Sequence, residues 1–158
     1  MVILMVLLTL VLTPISLQSN HKQPAETPAD MYQKVPEDRR QSLREAVDNL
    51  IGAEQRADWK AVYQLRERTP GETEADFLRY AARGRPLREF RLTKIVFIPP
   101  DDSWVIRGCA SFGGDLKERG HVADITAKWR DSRWYLSVVA FVLLGNEKGG
   151  KLQDCSIP

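Results

Sequence analysis

The stretch ADITAKWRDSRWYLSVVA, residues 123–140, decides the fold. Read as two strands joined at Asp131-Ser132, it sets Trp129 opposite Trp134 and Arg130 opposite Arg133. One face then carries Trp129, Ala127, Ile125 and Ala123 against Trp134, Leu136, Val138 and Ala140. Every member of that face is apolar. The other face carries Lys128, Thr126 and Asp124 against Tyr135, Ser137 and Val139. A slip of one residue would turn the polar set inward, so the side-chain pattern specifies the register.

Working upstream, the same period of two continues. It predicts strands over Leu87–Ile98, Trp104–Phe112 and Leu116–Arg130, with the fourth strand running Arg133–Leu143. Pro99-Pro100-Asp101-Asp102 and Gly113-Gly114 supply the turns. Before Pro86 the period is helical. Pro36 opens a helix with Glu37 and Asp38 at its positive end, and Leu43, Val47, Leu50 and Ile51 share one face. Asp58 caps a second helix with Trp59, Val62 and Tyr63 on its apolar side. Thr73 caps a third, with Phe77, Tyr80 and Ala81, ended by Gly84 and Pro86. Helices followed by strands mean α+β: three N-terminal helices on a four-stranded, curved antiparallel sheet over residues 36–143. Residues 20–35 read as a linker and 144–158 as a polar tail.

The chain has 158 residues, enough for one core, and a net charge of +2, which gives no global field for nucleic acid. Residues 1–19 carry no charged side chain and are mostly Val, Ile, Leu, Met and Thr. That run suits a signal peptide or a membrane anchor, and the expected location is exported or envelope-anchored. Any membrane contact is expected only through it. Cys109 and Cys155 could close a disulfide in an oxidising compartment, or stand as a buried hydrophobe and a free tail thiol. Their spacing does not suggest zinc, and the two histidines are far apart in sequence. No nucleotide or hydrolase motif is present, and no cofactor is expected.

The helix over Asp58-Trp59-Lys60-Ala61-Val62-Tyr63, the strands that follow, and the ending Trp129-Arg130-Asp131-Ser132-Arg133-Trp134-Tyr135-Leu136 together resemble the nuclear transport factor 2-like superfamily. This group includes ketosteroid isomerase and the polyketide cyclases. The resemblance covers about residues 36–143. It implies a cone-shaped fold with a pocket between helices and concave sheet, and frequent dimers through the sheet. It does not imply one activity.

On that reading Trp59, Tyr63, Tyr80, Trp104, His121, Trp129 and Trp134 line the pocket, which would take a small apolar ligand. His121 is the one candidate base for a cyclase- or isomerase-type reaction, but Asp124 points to the opposite face and cannot assist it. The expected role is therefore non-catalytic binding or interaction, with a structural dimerisation module as a further alternative. Val105, Val122, Val139 and Phe141 would form an apolar outer face for a homodimer. Arg79, Arg83, Arg85, Arg88 and Arg91 form one local basic cluster, which could recognise a phosphate, an acidic partner or anionic lipid headgroups, or stand as a solvated helix end.

Overall fold

The computed structural model describes residues 27–113, 120–144 and 151–155. The leader and residues 20–26 of the expected linker lie outside the described residues. Four helices come first: α1 (Pro28–Tyr32), α2 (Glu37–Gln55), α3 (Trp59–Leu65) and α4 (Glu74–Ala81). An antiparallel sheet follows, built on β1 (Leu87–Ile98), β2 (Ser103–Phe112), β3 (Gly120–Arg130) and β4 (Arg133–Leu136) in that spatial order. Two short strands, β5 (Ala140–Phe141) and β8 (Asp154–Cys155), also pair with β3. Between them β6 (Leu143–Leu144) and β7 (Lys151–Leu152) pair with each other. The protein is α+β; the described residues add helix α1 and the four short strands β5–β8 to the three helices and four long strands that the sequence pattern predicts.

Side-chain caps start three of the helices. Asp58 accepts the N–H of Ala61 at 3.1 Å. Thr73 and Asp76 cap each other reciprocally, so two of the backbone donors left over at a helix start are satisfied. Thr27 and Asp30 repeat that box at α1, which corrects the reading of the linker. Its described part, residues 27–35, is ordered against the core. Met31, Tyr32 and Val35 are buried, and Arg40 donates to the carbonyls of Tyr32 and Val35. Three apolar residues at i, i+1 and i+4 make one face, and the polar residues around them hid that spacing.

The core lies between α2 and the sheet. Leu43, Leu50, Ile106, Ile125 and Leu136 have no exposed surface, and each contributes about 2 kcal/mol by leaving water. The turn forms at Asp131-Ser132 as expected. Both residues have positive φ, 50° and 60°, the twist a two-residue hairpin requires. Trp129 pairs with Trp134 and Ala127 with Leu136.

Beyond Leu136 the predicted fourth strand breaks. Unbroken register would set Ala140 against Ala123. Instead Ala140 pairs with Asp124 and Phe141 with Ala123. One extra residue has entered between Leu136 and Ala140, which is a β-bulge. Ser137 stabilises it: its Oγ accepts the Thr126 N–H at 2.8 Å and donates to the Val138 carbonyl at 3.0 Å. The slip reverses every side chain that follows. Val139 and Phe141, expected on the outer face, turn inward, and Val139 is 7% exposed. Of the expected dimer face, Val105 and Val122 remain, half-buried, beside the doubly bonded Arg107–Asp124 ion pair at 2.8 Å.

The expected polar tail is also corrected. Gly120 pairs with Cys155 and His121 with Asp154, and a disulfide joins Cys109 to Cys155. Asp154–Cys155 is thereby a strand of the sheet. Among the described residues, no helix is long and apolar enough to cross a membrane.

Candidate functional site

The bulge and the end of α2 frame a cavity of about 450 Å³. Trp59 from α3, Phe77, Tyr80 and Ala81 from α4, and Gly84 and Arg85 beyond it form one wall. Phe112 at the end of β2 and residues 138–141 form the other. Phe112 and Phe141 meet edge to face at 4.6 Å, so their rings brace that wall. Tyr80 stands 79% exposed at the mouth.

Glu54 is the one acidic residue among the lining side chains. It is 3% exposed, and its Oε1 accepts the Val139 N–H at 2.9 Å. Burial pushes its pKa up to about 7, because a charge there loses its water. The hydrogen bond from Val139 pulls the other way but does not offset the burial. A carboxyl tuned this way changes charge near neutral pH. The same bond fixes the bulge, since Val139 N–H has no ladder partner there and a buried donor needs an acceptor.

The expected pocket residues divide. Trp59 and Tyr80 line the cavity. Tyr63 sits one layer back, its ring 5.5 Å from Phe77. Trp104 packs on Phe97 at 4.9 Å, towards the other end of the sheet. Trp129 and Trp134 pack on each other at 5.1 Å, with Arg39 over Trp129 and the Trp134 indole donating to Ser42. None of these three tryptophans lines the cavity; regular pairing of β3 and β4 brings the rings of Trp129 and Trp134 together, beside a separate pocket against α2.

His121 is buried behind Phe141, ring to ring at 5.3 Å, and is not among the cavity's lining residues. Its Nδ1 lies 3.1 Å from the Asp154 carboxylate, within ion-pair range but without the alignment of a hydrogen bond. A carboxylate therefore does reach His121, from β8, a segment read as tail. The basic cluster also divides: Arg79 pairs with Asp76, Arg85 lines the cavity mouth, and Arg88 and Arg91 lie on β1.

No family model, curated protein or solved structure matches the chain. The cavity's own geometry is the ground for a functional reading.

Glu54 and Phe112 escaped the sequence reading, and Val139 and Phe141 were assigned to the outer face. Glu54 had a signal. Leu43, Val47, Leu50 and Glu54 step along α2 at intervals of about one turn, so a carboxyl occupies the apolar stripe. Val139 and Phe141 had none, because their inward direction depends on the bulge.

Proposed function

We propose that this protein is an exported, non-catalytic domain that binds a small, mainly apolar ligand in the cavity between α2–α4 and the bulged edge of the sheet. The carrying observation is the cavity itself. About 450 Å³ suits a small organic molecule, and its walls are aromatic and aliphatic with few polar groups. The Cys109–Cys155 disulfide supports an oxidising compartment. Helices gathered on one face of an antiparallel sheet support the resemblance to the nuclear transport factor 2-like cone.

Native mass spectrometry of the disulfide-bonded protein tests the reading by detecting co-purifying small molecules. A hydrophobic fluorescent dye gives a second measure. Ala81→Phe, on the α4 wall of the cavity, is expected to fill it and abolish dye binding while the far-ultraviolet circular dichroism stays unchanged. Dye binding that survives this substitution would overturn the assignment.

One observation favours a second reading, a cyclase- or isomerase-type enzyme with His121 as base. Asp154 sits where it could orient the imidazole. That role requires ligand contact past Phe141. His121 ring signals in nuclear magnetic resonance that stay unchanged in a saturated complex would exclude it.

A further inference from the structure

We propose that the cavity selects ligands carrying a protonated amine, with Glu54 as the group that receives it. This deepens the binding reading above and rests on it.

The cavity floor holds a carboxyl in a largely apolar enclosure. One oxygen, Oε1, is engaged by the Val139 N–H. Among the described residues no cation pairs with Glu54, and its second oxygen has no hydrogen-bond partner there although the cavity reaches the side chain. A buried carboxylate without a counter-charge is costly, and a bound ammonium would supply both the charge and the donors. The walls suit the same guest. Trp59, Phe77, Phe112 and Phe141 present aromatic rings, whose faces attract cations. An apolar amine would place its head at Glu54 and its body among those rings.

The other lining groups that titrate or carry charge are Tyr80 and Arg85, both exposed at the mouth. Tyr80 is the ionisable lining group from α4, and α3, β2 and the bulge bring none. His121 stands behind Phe141. Arg85 favours the opposite orientation, an apolar anion with its head at the mouth, and that gives a sharp alternative.

Three probes share one rigid apolar body and differ only in the head: 1-adamantylamine, 1-adamantanol and 1-adamantanecarboxylate. Their dissociation constants by calorimetry at pH 8.5 and 5.5 decide the matter. The amine is expected to bind at least about tenfold more tightly than the alcohol at pH 8.5, as a charge-assisted contact should. With a carboxyl that titrates near 7, the amine's affinity should fall about 30-fold at pH 5.5, where Glu54 is mostly neutral. Glu54→Gln keeps the shape and the acceptor for Val139 but is expected to erase both effects.

Tighter binding of the alcohol or the carboxylate, or an amine preference that persists in Glu54→Gln, overturns the amine proposal and leaves the cavity reading standing. Binding of none of the three overturns both. The wild-type pH comparison needs no variant, so a misfolded substitution would not protect the proposal.

Discussion

Two halves of β3 meet their neighbours differently. Over residues 127–130 the strand pairs in unbroken register with β4, and the rings of Trp129 and Trp134 pack on each other, with Trp134 bonded to Ser42 of α2. Over residues 120–124 the same edge is served by two short pieces, β5 and β8, after a bulge. There the packing opens into a cavity with Glu54 on its floor. Regular alternation delivers side chains evenly and closes the core. The extra residue re-aims the chain, takes backbone groups out of the ladder, and makes side chains answer for them. The mainly apolar cavity arises at the irregular half, whereas the pocket at the hairpin turn is lined by Glu67, Arg68, Arg130, Asp131 and Arg133.

The largest expected effect breaks the regular half. Trp134→Ala removes a 6%-exposed indole, its hydrogen bond to Ser42 and its contact with Trp129. A loss of about 4 kcal/mol in denaturant unfolding is expected, as for large aromatic truncations. Dye binding at the cavity should persist in whatever fraction stays folded. A loss under about 1 kcal/mol would mean the indoles do not hold that half together.

The next effect separates the irregular half. The disulfide closes a loop of 46 residues and holds β8 against β3. Replacing Cys109 and Cys155 together by Ser should cost about 3 kcal/mol, mainly by freeing the unfolded chain. It should also release Asp154 from His121. Thermal unfolding with and without reductant checks the first part, and the His121 ring signals check the second.

Glu54 makes stability depend on pH. Its pKa is about 7 in the folded protein against 4.5 as the ordinary value, so the folded state holds the proton more tightly. Below pH 4.5 both states are protonated and there is no penalty. As pH rises towards 7 the unfolded chain ionises first, and stability falls with each step. The full penalty, roughly 3 kcal/mol, is reached above pH 7. Measured against Glu54→Gln, which lacks this ionisation, the wild type should lose that amount between pH 4 and 8. Parallel stability curves for the two proteins would rule out a strained carboxyl on the cavity floor.

The two halves also differ in how far the sequence discloses them. Trp129 to Leu136 was readable, because period-two alternation and an Asp-Ser turn both point to the same hairpin. The helix starts at Asp58 and Thr73 were readable from capping chemistry. The cavity was readable only through Trp59 and Tyr80. Its inner wall depends on Ser137, a residue that looks like an ordinary outward-facing polar position. A side chain that substitutes for a backbone bond leaves no periodic trace. The Cys109–Cys155 pairing was one of two readings open in the sequence, but the strand at Asp154 and Cys155 was opaque for a related reason: two residues carry no period. Glu54 lay in plain view on an apolar stripe, where a buried acid is rare enough to be informative.

The smallest effect tests that account of the boundary. Ser137→Ala removes the acceptor of the Thr126 N–H and the donor to the Val138 carbonyl. If the hydroxyl holds the bulge, the chain has two responses. It can keep the bulge with an unsatisfied Thr126 N–H, at about 1–2 kcal/mol. Or it can slip back to unbroken register, which would set Ala140 against Ala123 and turn Val139 and Phe141 outward. Glu54 resists the slip, since its bond to the Val139 N–H exists only in the bulged form. The expected result is therefore a loss of about 1–2 kcal/mol with cavity binding kept, and faster hydrogen exchange at Thr126. Combining Ser137→Ala with Glu54→Leu removes both restraints and should cost more than the sum of the two, with dye binding lost. Simple additivity would mean that the bulge is set by the backbone and not by these two side chains.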